Sequence, residues 1–310
     1  MIATNLALDS APTPTAPNRS NDMRALDGIY SAPPVHWVGD GFRVSGYFNG
    51  IPNAVQKLSP FLLLDYHPSY DYAPSKKPRG VGVHPHRGFE TVTIAWQGSV
   101  AHHDSAGGGG TIGPGDAQWM TAASGILHKE YHEQNYARQG GPFRMAQLWV
   151  NLPSAHKMSP PRYQALLAGE MGVATLPHAA GSVRVIAGEY EGVRGPAQTF
   201  SAISVFDARL NAKGAADFRF PESYNAGLLV MKGAVTINGT AANLHDFLVF
   251  AHAGERVHIE ATDDSELLIL SGQPIDEPVV QYGPFVMNSE REILQAFADY
   301  ESGKFGQLED

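Results

Sequence analysis

His84-Pro85-His86-Arg87-Gly88-Phe89-Glu90 and Gly125-Ile126-Leu127-His128-Lys129-Glu130 are the stretches that decide how this chain folds. Each sets two side chains of metal-ligand type two residues apart. In a β-strand, residues i and i+2 project from the same face. Two such strands lying side by side would bring His84, His86, His128 and Glu130 to one point. The pattern therefore predicts a metal centre of three imidazoles and one carboxylate. Pro85 supplies no N–H to a strand ladder, so it belongs at an edge or rim. Four protein ligands leave two positions of an octahedral ion open to water, O2 or a chelating substrate.

Other side chains compete for the same place. Glu90 shares strand parity with His84 and His86. It is either a fifth ligand or a buried hydrogen-bonding group, and the second is favoured. His102 and His103 are adjacent, so only one can face any given side; they are expected to support the ligands or line the rim. His132 keeps the parity of His128 and Glu130 but is expected past the end of their strand. Phe89, Trp119 and Met120 are candidate walls for a flat ligand, with core packing the alternative for each.

Bulk composition bounds the rest. At 310 residues the chain has room for about two domains of ~150 residues. Gly (33) and Pro (22) are frequent, which favours turns and short strands over long helices. The formal charge is −9, and the densest positive cluster, Lys76, Lys77 and Arg79, reads as a solvated loop. Direct nucleic-acid contact needs many more cations on one face. There is no cysteine, which excludes disulfides and thiolate metal sites. His and carboxylate ligands suit iron, manganese, nickel, copper, cobalt or zinc. No apolar run approaches the ~20 residues of a membrane helix. The start of the chain has neither early basic residues nor an apolar core, so no secretory signal is predicted and the cytoplasm is the expected location.

Residues 1–25, rich in Ala, Pro, Thr, Ser and Asn, read as a disordered tail. Short apolar runs bounded by Gly and Pro follow, among them Phe61–Leu64, Thr91–Trp96, Ala117–Met120 and Met145–Val150, and these read as strands. Residues 151–182, interrupted by four prolines, look like a connection with a short helix near Tyr163–Leu167. A second set of strands starts at Val183. The expectation is an all-β chain of two barrels, with domains at 26–165 and 166–310. One helix closes it: Ser289 and Glu292 form a capping box, Ile293, Leu294, Phe297 and Tyr300 make its apolar stripe, and Gly303 suits its C-terminal cap.

Taken together, His84–Thr93, Asp104–Gly107, Pro114–Ala122, Gly125–Glu130 and Tyr282–Asn288 resemble the signature of the pirins, and the likeness runs over about residues 35–306. It implies a bicupin of two stacked jelly-roll barrels. The metal, usually Fe(II), would sit only in the first barrel, on His84, His86, His128 and Glu130. The second barrel would be metal-free, because Phe220-Pro221-Glu222-Ser223-Tyr224 stands where a His-x-His would be. The chain departs from many pirins in carrying His103 in place of Arg, and its first 25 or so residues match nothing in the family.

The resemblance also implies an activity. Several pirins are similar to quercetin 2,3-dioxygenases, which open a flavonol ring with O2, and Glu130 would then accept the flavonol hydroxyl proton. Other pirins regulate a protein partner through the state of the metal. A cupin isomerase or small-molecule binder holding zinc or manganese needs the same four ligands.

Overall fold

The computed structural model describes residues 22–310. The expected tail lies mostly outside them, but residues 22–25 are ordered. Met23 bridges to Arg256, and Arg24 is buried. The Arg24 guanidinium donates to the carbonyls of Phe220, Pro221, Glu222 and Tyr224. A cation brought in from the start of the chain thus caps the very segment where the second barrel has no His-x-His.

Each half of the chain pairs a seven-stranded antiparallel sheet with a four-stranded one, the two faces of a jelly-roll barrel. The expected all-β fold of two barrels with a terminal helix is the one found. The first seven-stranded sheet runs, in spatial order, through Arg162–Leu166, Ala117–Thr121, Phe89–Gln97, Gly141–Asn151, Phe61–Tyr72, Phe42–Gly46 and His36–Val38. Its four-stranded partner runs through Gly80–His86, Ile126–His132, Val100–Asp104 and Gly109–Ile112. One strand is exchanged. Leu26–Tyr30, grouped by sequence with the first domain, pairs with Phe247–Phe250 in the second barrel's sheet.

Three central strands show why the barrels stack. Val92, Ile94 and Trp96, Ala117 and Trp119, and Ala146, Leu148 and Val150 point out of the first barrel. They meet Val205, Leu229, Phe247, Leu268 and Leu270 of the second in one apolar layer. Removing these side chains from water is the main force holding the halves together, at roughly 25 cal/mol per Å2 of apolar area. The alternate residues of the same strands, Thr93, Gln118 and Gln147, face inward. The second barrel has no such polar lining: Phe206, Phe218, Phe220 and Tyr190 fill its interior.

Two expectations are corrected. Arg162–Leu166 is a strand rather than a helix, paired residue for residue with Ala117–Thr121. Five residues after a double proline cannot nucleate a stable helix, whereas an open sheet edge offers them a ladder. In the terminal helix, Glu290–Glu301, Leu294 and Tyr300 are exposed, while Ile293, Ala296 and Asp299 are buried. Asp299 is drawn inward by Arg87, whose guanidinium lies 2.8 Å from it. Ser289 caps the helix as predicted, and Gly303 follows its end with a φ of 78°.

Glu90 lies on the inter-barrel side of its strand and accepts from Thr121 Oγ1 at 2.7 Å. Burial pushes its carboxyl from 4.5 up to about 7. Between those values the folded chain keeps a proton that the unfolded chain has released, so this group makes stability fall as pH rises through that window. We expect Glu90→Gln to gain stability over wild type progressively from about pH 4.5 to 7, by at most about 1.4 kcal/mol per unit. Chemical denaturation at pH 5 and pH 8 measures it; an offset equal at both would contradict the assignment.

Candidate metal centre

The Gly80–His86 strand is the edge of its sheet, so the missing N–H of Pro85 costs no ladder bond. Ile126–His132 pairs with it antiparallel, with His84 opposite His128 and Pro85 opposite Leu127. The side-chain parity read from sequence therefore holds on both strands. His84, His86 and His128 offer ligand atoms that lie within 4.8 Å of one another. Their ring centroids are 4.2 Å (His84–His128), 4.8 Å (His86–His128) and 4.9 Å (His84–His86) apart. His128 and His86 are buried and His84 is half-exposed, so the cluster opens to solvent on one side.

The same nitrogen is engaged on every ring. His84 Nδ1 meets the carbonyl of Gly82 at 2.8 Å, and His86 Nδ1 meets that of Pro284 at 3.3 Å. His128 Nδ1 lies 3.5 Å from His102 Nδ1. A carbonyl accepts only, so Nδ1 of His84 and His86 carries the proton and Nε2 keeps its lone pair. His128 Nε2 is buried with no hydrogen-bond partner, an expensive state for a polar atom. A cation would relieve it. Burial and the neighbouring His84 hold the His86 imidazole down to about 3, and burial with His86 and His84 holds His128 well below its usual value. Both are neutral in the physiological range, as ligation requires. The donor set fits a divalent transition metal.

Glu130 follows on the same face, after a register shift against the edge strand. Its carboxylate is not part of the group within 4.8 Å. It sits among donors: Thr93 Oγ1 at 3.0 Å and Gln118 Nε2 at 2.6 Å on Oε1, and Gln147 Nε2 at 2.7 Å on Oε2. Tyr163 Oη donates to Gln118 Oε1 at 3.1 Å, which fixes that amide's orientation.

The remaining candidates separate. Glu90 faces away from the centre. Gly88, with a φ of 88°, breaks the run between the two strands and resets the alternation, so parity counted from His86 does not carry across it. His102 is fully buried against His128, while His103 is exposed on the opposite face. His132 ends its strand at the far end of the barrel, stacked on Phe143 at 4.6 Å. Trp119 belongs to the inter-barrel layer, and Met120 packs with Ala122 and Ile126. Phe89 is the one proposed wall beside the cluster, 5.0 Å from His86 and 4.2 Å from Trp149. Gln118, Gln147, Trp149 and Tyr163 were not singled out from sequence. The available signal was a single glutamine inside each of two apolar runs, Gln118 in Ala117–Met120 and Gln147 in Met145–Val150; Trp149 and Tyr163 carried none.

The end of the chain braces the ligand strands from outside. Besides the Pro284 carbonyl on His86, Arg87 donates to Asp299 and to the Ser124 carbonyl. Lys157 Nζ, buried, ties Gly88 and Val286 carbonyls together with Asn151 Oδ1.

Residues 41–150 match the family model described as Pirin, and residues 205–306 the one described as Pirin C-terminal cupin domain. A Pseudomonas aeruginosa protein, named provisionally as a quercetin 2,3-dioxygenase, is 49% identical over 283 residues, which cover 91% of this chain and 99% of that one. A solved quercetin 2,3-dioxygenase from Acinetobacter baumannii is 46% identical with a TM-score of 0.88, covering 93% of this chain and all (100%) of that one. A bacterial pirin from Escherichia coli, solved in complex with nickel(II), shares the fold at 20% identity and a TM-score of 0.59, covering 80% and 100% of the two chains.

We expect His128→Ala to abolish tight metal uptake and leave the fold intact, because deleting the ring also removes the buried unpartnered nitrogen. Metal analysis after dialysis, alongside circular dichroism, measures both; full metal occupancy in the variant would contradict the ligand assignment.

Proposed function

The chain belongs to the pirin family, and from that premise we propose that it is a metal-dependent dioxygenase of the quercetin 2,3-dioxygenase type, acting on a flavonol-like aromatic substrate with O2. The observation that carries this reading is the pairing of three imidazoles, each with Nε2 free, with a carboxylate two residues on from the last. His84, His86 and His128 would hold the metal, with Glu130 as a fourth ligand. When bound, the metal, most simply Fe(II), supplies the positive charge that acidifies a chelating hydroxyl and a position at which O2 and substrate meet.

The chain's own residues do the rest. Glu130 Oε1 accepts two donors, but Oε2 accepts only one, from Gln147. Oε2 therefore keeps one lone pair, so Glu130 would serve either as the fourth ligand or, when off the metal, as the acceptor of the substrate's hydroxyl proton. Thr93, Gln118 and Gln147 hold that carboxylate in one orientation before substrate arrives, so no side-chain freedom is lost at the moment of transfer. Trp149 and Phe89, at an interplanar angle of 34°, give an apolar wall beside His86. His84, Gln147, Trp149 and Tyr163 are all partly exposed, whereas Glu130 is buried.

One observation favours a regulatory role as the second possibility. The His86 ring is bonded to Pro284, and the next residue, Arg87, to Asp299 of the terminal helix. A change at the ligands would be felt on the outer surface, where a protein partner could read it.

We expect the Fe(II)-loaded chain to consume quercetin in air, followed by loss of flavonol absorbance. Glu130→Gln should lower kcat by about 10²-fold, since it removes the proton acceptor. Absence of turnover with every reconstituted metal would end the dioxygenase reading and leave the regulatory one.

A further inference from the structure

His128 differs from the other two imidazoles in having no carbonyl on Nδ1. Its partner is His102, another imidazole, which by itself fixes nothing: either nitrogen could carry the shared proton. The contact that bears on the choice lies one residue further out. His102 Nε2 faces Asp104 Oδ2 at 3.4 Å. Asp104 Oδ1 in turn accepts the backbone N–H groups of Ala106 at 2.9 Å and Gly108 at 2.8 Å. Both His102 and Asp104 are buried, and Tyr163 stacks on the His102 ring at 5.0 Å and 19°, which fixes its plane.

We propose that Asp104 and His102 form a relay that sets the tautomer of His128 and so makes it a metal ligand; the inference rests on the metal centre proposed above. An ionised carboxylate only accepts, so His102 Nε2 carries the hydrogen and its Nδ1 is bare. A bare Nδ1 on His102 requires a hydrogen on His128 Nδ1. His128 Nε2 is then left with its lone pair, directed to the cluster with His84 and His86. The opposite assignment puts a hydrogen on the buried His128 Nε2, where it has no acceptor and cannot ligate. His102 and Asp104 are thus positioning residues that act through His128. The main chain does for His84 and His86 what this side-chain relay does for the third ring. Outer partners of this kind typically change metal affinity by about 10–100-fold when removed.

Asp104→Asn is the decisive variant. Its Oδ1 still accepts from Ala106 and Gly108, so the turn is kept, but it presents an NH2 donor to His102 Nε2. His102 must then carry its hydrogen on Nδ1, and His128 is driven to the wrong tautomer. Zn(II) affinity, measured on the full chain by competition with a chromophoric chelator, should fall about 10–100-fold, with the thermal midpoint of the metal-free protein unchanged. His102→Leu should show the same loss. His102→Asn, whose Oδ1 can stand in for the imidazole Nδ1 as acceptor, should recover most of it, which a role in packing alone would not allow. Wild-type affinity in Asp104→Asn, or equal loss in His102→Leu and His102→Asn, would overturn the relay. Because the readout is metal affinity, a chain that binds Zn(II) in this pattern but leaves quercetin intact loses the dioxygenase reading alone. A wild-type chain that takes up no metal loses both.

Discussion

A strand gives its side chains to two faces in strict alternation, and in the first barrel both faces are committed. On Phe89–Gln97, Ala117–Thr121 and Gly141–Asn151, one set of positions builds the apolar layer against the second barrel, and the other set builds the polar floor under Glu130. Domain packing and site chemistry are therefore written into the same three strands, interleaved. A slip of one residue in any of these strands would put Gln118 or Gln147 into the inter-barrel layer and Trp119 or Leu148 into the site.

Rigidity around the ligands comes from far along the chain. The ligand strand Gly80–His86 is an edge, held by one neighbour only. The terminal segment supplies the second support, through Pro284, Val286 and Asp299. The Arg87–Asp299 pair is buried, so it contributes more to fixing geometry than to net stability, its Coulomb attraction being largely offset by desolvation. These supports hold the strand that carries His84 and His86 in register with its neighbour.

Much of this was legible in sequence. The two ligand-bearing stretches were readable because i, i+2 spacing needs only local strand geometry. Glu90 was ambiguous because parity counting assumes a continuous strand, and the left-handed turn at Gly88 interrupts it. Tyr163 is hard to place from sequence because the polar/apolar alternation of Arg162-Tyr163-Gln164-Ala165 is too short to decide; its pairing with Met120 makes it a strand. The helix stripe failed at Leu294 because Asp299 is turned inward by an arginine 212 positions away in the chain. Arg24 and the exchanged strand Leu26–Tyr30 were illegible for the same reason: their partners lie about 200 residues downstream. Local pattern carried the ligands; long-range pairing decided their supports.

The buried Arg24 has a consequence for the asymmetry of the two halves. Four main-chain oxygens of the Phe220–Tyr224 segment are taken up by a tethered guanidinium, and aromatic rings fill the barrel's interior. A histidine grafted into the second barrel would meet packed aromatic rings rather than a polar floor, and the Phe220–Tyr224 segment could shift only by breaking its bonds to a cation that is covalently part of the chain. The difference between the two barrel interiors is tied to topology as well as to the choice of side chains.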